Sequence, residues 1–265
     1  MARVSFDLLH RGFRALGVTE GATLVVHSSV SAFGQVDGGA VTVLRALRAA
    51  VGQSGTVVVP AFTGDVIADP HPGCRTAGDP EVEAARARVP LFHDAFPTAM
   101  GAVPTAVLAE PERLRSRHPQ ASVAALGAAA EYITEHQPFA YALGPDSPFS
   151  RLYELKAQIL LLGVGHNRNS FLHHAESMVP GHRTKLRRFP YLVEGQRVWL
   201  EAPDVGDDND THFPRVGTDW ADQGQVSRQV IGAARCELVD AVPFIEFARK
   251  RLAELLCEVA GHPRK

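Results

Sequence analysis

With 265 residues, 45% hydrophobic and 21% charged, the chain has ordinary globular composition, which excludes a disordered, collagen-like or coiled-coil protein. Its 27 Lys and Arg against 29 Asp and Glu give a formal charge of −2, so nucleic acid is not an expected partner. No apolar stretch reaches the roughly 18 residues of a spanning helix, and Met1–Leu16 lacks the apolar core of a signal peptide. The three cysteines (Cys74, Cys236 and Cys257) form no CxxC pair. A cytoplasmic protein without a membrane partner is expected.

Phe6, Leu9, Phe13 and Leu16 lie at helical spacing, and Gly17 is a plausible stop. Thr23–His27 reads as a buried strand, Val41–Val51 as an amphipathic helix and Thr56–Pro60 as a second buried strand. A strand–helix–strand unit of this kind prefers a parallel crossover. Residues 64–100 are rich in Gly, Pro and charge and are expected to form a loop-rich insertion. Helices are expected at Ala102–Ala109, within Val123–His136 and at Ser147–Leu155, and a third buried strand at Gln158–Gly163. Two apolar arms around Glu194-Gly195-Gln196 signal a hairpin, Gln225–Val239 can add strands, and Val242–Val259 closes the chain as a helix. The fold class is therefore α/β, mixed α+β. A central sheet of parallel buried strands is flanked by helices, with an antiparallel hairpin and acidic loop at about 188–214, in one domain over 1–265.

Two segments carry candidate chemistry. His27-Ser28-Ser29-Val30-Ser31-Ala32-Phe33-Gly34 leaves the end of the first strand, where ligands of open α/β sheets collect. Its hydroxyls can donate to phosphate or amide groups; a Ser-rich turn that satisfies itself is the competing reading. In Gly163-Val-Gly-His-Asn-Arg-Asn-Ser-Phe-Leu-His-His-Ala-Glu176, His173 and Glu176 are three apart and share a helix face. A carboxylate can fix the tautomer of a histidine base, although a structural hydrogen bond is at least as common. His174 points elsewhere and is best read as packing. His166, His173, His174, Glu176 and His182 offer a competing metal site, but HExxH is absent and the spacing fits no zinc pattern.

Asp204, Asp207, Asp208 and Asp210 form either a solvated loop or a wall for a cationic ligand, and Arg183–Arg188 is of opposite sign. Gln229–Ala234 matches the Q-x-x-G-x-A pattern of the small N-acetyltransferases, yet it precedes a strand-like run instead of a helix. No GxSxG elbow, P-loop or GxGxxG fingerprint occurs.

Taken in order, several stretches resemble the aminoglycoside 3-N-acetyltransferases, the antibiotic N-acetyltransferase family, which differs in fold from the small N-acetyltransferases. They are Val26–Gly34 with Gly38-Gly39, Gly55–Pro60, Thr63-Gly-Asp65, Met100–Pro104, Arg115–Pro119 with Ser122, Gly144–Phe149, Leu160–Gly165 through Glu176, and the acids before Phe213-Pro214-Arg215. The resemblance spans about 22–240. Two departures put the acceptor range in question: His174 stands where the family is usually apolar, and 66–95 matches poorly.

The resemblance implies acetyl-CoA as donor and no metal. The acceptor would be the amine at position 3 of an aminoglycoside's 2-deoxystreptamine ring, and the outcome antibiotic resistance. It places His173 as the family histidine, here read as the base, with Glu176 as its carboxylate neighbour; Glu201 is a second candidate orienter if the hairpin folds back. His27, Ser28, Ser29, Val30, Ser31, Phe33 and Gly34 would border the coenzyme, with Ser122 and Phe213, and His27 would stand near the developing oxyanion. Asp65, Asp146, Glu201 and Asp208 would hold the acceptor's amines. Alternatives are an acetyltransferase for a different amine, a metal-dependent hydrolase and a binding module without turnover. The terminal helix can pack at home or across a homodimer interface.

Overall fold

Three apolar runs become the centre of a seven-stranded sheet in a computed structural model that describes residues 3–74, 78–206 and 209–260. Its strands are β1 (Thr23–Ser28), β2 (Thr56–Pro60), β3 (Leu114–Arg115), β4 (Val123–Gly127) and β5 (Gln158–Leu162), with β6 (Thr184–Val193) and β7 (Gln196–Val205) forming a separate hairpin and β8 (Ser227–Ile231) and β9 (Ala234–Asp240) closing the series. The sheet order is β3-β4-β2-β1-β5-β9-β8. Only β2-β1-β5 is parallel; the pairs outside it are antiparallel.

The parallel strands read as continuous apolar runs because both faces are covered. Leu24 and Val26, Val57 and Val59, and Leu160 and Leu162 face one core, while Val25, Val58, Ile159 and Leu161 face the other, the strand period of two. The first core is filled by α1 (Phe6–Leu16), α2 (Gly39–Val51) and later α4. Ser5 caps α1, its hydroxyl accepting from the Leu8 N–H at 3.3 Å, and Gly17 ends it at φ 112°, which favours glycine. Between these helices and α4 (Ala102–Ala109) comes α3 (Pro80–Arg88). The second core takes α5 (Ala130–Thr134), α6 (Pro148–Glu154), α7 (Phe171–Ser177), α8 (Phe213–Ala221) and α9 (Ala241–Ala260). Leu161 is fully buried there, and its truncation to Ala would cost about 2–5 kcal/mol.

Two expectations are corrected. The 64–100 insertion contains α3, capped by Asp79 with Pro80 in its first turn, and Arg86 on it forms a buried two-point pair with Asp69 at 2.9–3.0 Å. Polar anchoring holds this helix, so no apolar stripe marked it in the sequence. Val123–His136 holds a strand first and only then the short helix α5, because Val123, Ala124 and Ala125 are buried against the antiparallel partner β2. The hairpin is also longer than its apolar arms suggested. It turns at Glu194 (φ 50°) and Gly195 (φ 79°), and its inner residues Phe189 and Ala202 pack on Ile67 and Phe96 of the insertion. Among the described residues no helix is long and apolar enough to cross a membrane.

Candidate functional site

β1 and β5 are in parallel register, His27 beside Leu161 and Ser28 beside Leu162, so the segments that follow them leave the sheet at one edge. A cavity of about 280 Å³ opens there, lined among others by His27, Ser28, Ser29, Met100, Gly101 and Arg168. His27 is 4% exposed, and its Nε2 and the Ser28 hydroxyl are buried without a partner. Burial, reinforced by the nearby His166, pushes the His27 imidazole down to about 3, so the ring is neutral.

Val30–Phe33 forms a short 3₁₀ turn closed by Gly34, the Ser29 and Ser31 hydroxyls hydrogen-bond at 3.0 Å, and Phe33 enters the core. Val30, Ser31, Phe33 and Gly34 thus shape the turn without lining this cavity. Ser122 is placed differently from the expectation. Its hydroxyl donates to the Ala61 carbonyl at 2.9 Å and accepts from Arg115 Nε at 3.1 Å, a fully buried lock between strands that leaves it no free hydrogen for a ligand.

His173 lies on α7 with its ring edge against Phe213, the first residue of α8, at 4.9 Å between centroids. Nδ1 is enclosed and has no partner. Burial first, then the Lys185 ammonium, pushes this imidazole down to about 3; Asp204 opposes, and Arg187 and Arg183 add to the fall. Glu176 is fully buried one turn on, but the expected contact with His173 is not made. Its two oxygens accept from Arg183 Nε at 2.8 Å and Nη2 at 3.1 Å. A carboxylate this deep needs a countercharge, and a guanidinium fork supplies one where a neutral imidazole does not.

The same saturation governs the other acids. Asp204 accepts from Arg187 and from the Val205 N–H. Glu201 pairs with Arg188 at 2.8 Å, and Arg188 reaches Asp69 at 2.6 Å, which ties the hairpin to the insertion and turns Glu201 toward Arg188. Asp65 and Asp146 are exposed, and Asp208 lies outside the described residues. Sequence reasoning passed over Lys185, which burial and Arg187 push down to about 7 against Asp204 and Glu176. The alternation of charge in Arg183, Lys185 and Arg187 was its signal. His174 Nδ1–H donates to the Leu143 carbonyl at 2.9 Å, a packing role, and His182 Nδ1–H donates to the Val179 carbonyl at 2.9 Å. Among the described residues no three of His, Cys, Asp and Glu gather as a metal cage.

The family model for aminoglycoside 3-N-acetyltransferases matches residues 25–253, which include both segments. The chain belongs to the aminoglycoside 3-N-acetyltransferase family. Aminoglycoside N(3)-acetyltransferase VII of Streptomyces paromomycinus is 34% identical over 272 residues, covering 96% of this chain and 93% of that protein. The enzyme AAC-IIIb, solved as a binary complex with CoASH, superposes with a TM-score of 0.84 at 30% identity, covering 96% of this chain and 98% of that one. AAC-VIa bound to sisomicin gives a TM-score of 0.84 at 27% identity over 96% and 99% of the chains. The sheet is accordingly that of the aminoglycoside 3-N-acetyltransferases and not of the small N-acetyltransferases, as the ordered motifs indicated.

Proposed function

We propose that the protein transfers the acetyl group of acetyl-CoA to the 3-amine of an aminoglycoside's 2-deoxystreptamine ring, and that His173 is the base. The observation that carries this is the conjunction of family membership with two neighbours of near-full coverage, one holding CoASH and one sisomicin. The edge at β1 and β5 receives the donor, and the neutral His173 beside it takes a proton from the attacking amine. The amine nitrogen forms a bond to the thioester carbonyl carbon, and the carbon–sulfur bond breaks. The leaving sulfur then recovers the proton from the imidazolium. Pushed down to about 3 by burial, the imidazole is unprotonated at neutral pH, the form a general base requires.

An acetyl-enzyme on cysteine has little support. Cys236 is buried and its thiol is pushed up to about 11 by burial, so it is no nucleophile at neutral pH. Glu176 acts through Arg183, holding the start of the hairpin against α7, and is a positioning residue. Phe213 fixes the His173 ring. Asp65 and Asp146, exposed and without countercharge, are the acids left to attract acceptor amines. Resistance to aminoglycosides is the expected consequence.

The test is thiol release from acetyl-CoA against aminoglycosides whose 3-amine is free or already blocked. Release with the free set alone is expected. Silence throughout, with coenzyme A still bound, would move the acceptor to another amine.

A further inference from the structure

A primary amide donates two hydrogens and accepts at its oxygen, which neither a carboxylate nor an ammonium does at once. Gln120 uses all of this capacity between segments that lie 53 and 67 positions away in the chain. It is 4% exposed. Nε2 donates to the Ile67 carbonyl and, at 3.0 Å, to the Arg188 carbonyl, while Oε1 accepts from Arg187 Nη1 at 3.3 Å. The backbone carbonyl of Gln120 accepts from the Thr63 N–H at 3.0 Å, and the neighbouring Pro119 carbonyl accepts from the Thr63 hydroxyl.

Between Thr63 and Ile67 the chain makes one tight turn, in which the Val66 and Ile67 N–H groups both donate to the Thr63 carbonyl, at 3.0 and 2.9 Å. Asp65 stands exposed on this turn. Gly64 lets the turn approach the hairpin: a Cβ there would lie 3.6 Å from Arg187 Nη1 and 3.7 Å from Gln120. Beyond Arg187 the contacts continue toward His173. Arg187 Nε binds Asp204, which faces Lys185 across the hairpin register, and β7 packs on α7, the helix that carries His173. One amide thus sets the spacing between the turn that bears Asp65 and the charges around His173. Gln120 makes no hydrogen bond to any residue that lines the cavity at the end of β1, among the described residues.

Resting on the acceptor assigned above, we propose that Gln120 is a positioning residue for acetyl transfer: it fixes the Asp65 turn against the start of the hairpin, so that an amine drawn to Asp65 meets His173 at one distance. Being buried, Gln120 acts through the turn and through Arg187, not on the acceptor itself. Such spacing matters to the rate, since about 1 Å of misplacement costs about a hundredfold.

The test compares the full chain with its Q120M and Q120E variants. Thiol release is measured with acetyl-CoA and acceptor varied in turn, the acceptor being the free-3-amine aminoglycoside that the parent turns over fastest. Calorimetric titration with coenzyme A and urea denaturation accompany it. Methionine keeps the length and makes none of the three side-chain hydrogen bonds. Glutamate keeps the acceptor for Arg187 but turns a carboxylate on two carbonyls. The hairpin stays tied through Arg188 to Asp69 and through Phe189 in its own core, so the variants should fold. Should Q120M not fold, Q120E, with Arg187 as countercharge, carries the test. Both variants should lower kcat/KM for the acceptor by about tenfold or more, with the KM for acetyl-CoA and the Kd for coenzyme A within about twofold of the parent. Lost stability with unchanged kcat/KM would make Gln120 structural only and overturn the proposal. A fall in coenzyme A affinity of the same size would also overturn it. If Q120M fell and Q120E matched the parent, Gln120 would merely partner Arg187, and the spacing role would be lost. If the parent acetylated no aminoglycoside of the set, the acceptor reading would fall and take this role with it. Parent turnover that neither variant alters would sink the role of Gln120 alone.

Discussion

The end of β1 and the start of the hairpin handle polarity in opposite ways. At β1 the cavity leaves His27 Nε2, the Ser28 hydroxyl and the α4 N-terminus without side-chain partners. Around the hairpin, Glu176 of α7 and Asp204 and Glu201 of β7 are each matched by an arginine. Unsatisfied buried groups are costly unless a ligand supplies the missing partner, so the first region is arranged for occupancy. Matched buried ions are costly only when one partner is removed, so the second is arranged to hold a shape. His173, close to the hairpin charges of Lys185 and Asp204, shares a trait of each: an enclosed, unpartnered Nδ1 and a ring pressed on Phe213.

The contrast is tested hardest by H173A. Loss of a general base should lower kcat by about 10²- to 10⁴-fold while coenzyme A affinity and thermal stability stay near the parent values. Retained turnover in a folded H173A protein would remove His173 from the chemistry. E176Q should behave otherwise. Breaking the two-point pair with Arg183 is expected to cost about 3 kcal/mol of unfolding free energy, read by urea denaturation, along with a fall in kcat. If Glu176 instead oriented His173 directly, E176Q would lose kcat and keep its stability.

A third effect comes from pH. His27 and His173 are pushed down to about 3 and His118 to about 4, all primarily by burial. Their unfolded counterparts titrate near 6.5, so between 6.5 and these values the unfolded chain binds more protons than the native one. Stability is therefore complete above pH 6.5 and falls as pH drops below it, by up to about 2 kcal/mol per histidine at pH 5. Equal denaturation midpoints at pH 7.5 and 5 would contradict the burial of these rings. His118 is held otherwise: it accepts from the Gln120 and Ala121 N–H groups at 3.0 and 2.9 Å and its ring packs on Phe189 of the hairpin.

How far the sequence could be read follows the same divide. β1, β2 and β5 were legible because burial on both faces forces an unbroken apolar run, and α1 because its stripe ends at a glycine. His27 and Ser28 were legible as candidates because they end β1 at the sheet's ligand edge, and His173 because it lies in the segment that leaves β5. What was missed is held by polar contacts between distant segments. Asp69 joins Arg86 and Arg188 across 17 and 119 positions, and Glu176 takes Arg183 in place of His173, choices made by tertiary burial and invisible to local spacing. Ser122 had the right motif but a buried partner at each end of its hydroxyl.

The smallest predicted effect concerns Asp65 and Asp146, exposed acids that no arginine neutralises in a molecule that pairs its buried ones. Exposed charge pairs contribute about 0.2–1 kcal/mol, so D65N or D146N should raise the acceptor KM by only about 1.4- to 5-fold, with kcat unchanged. Asp146 stands at φ 58°, a left-handed conformation that asparagine tolerates, so D146N removes the charge and spares the backbone. The difference between parent and variant should shrink as salt is raised, since exposed charges are screened over about 10 Å at 0.1 M. A KM change that persisted at high salt would mean that these acids hydrogen-bond the acceptor directly. No change at any salt would place the acceptor's amines elsewhere, and the masking of acids by arginines on the hairpin would then extend to the whole acceptor side.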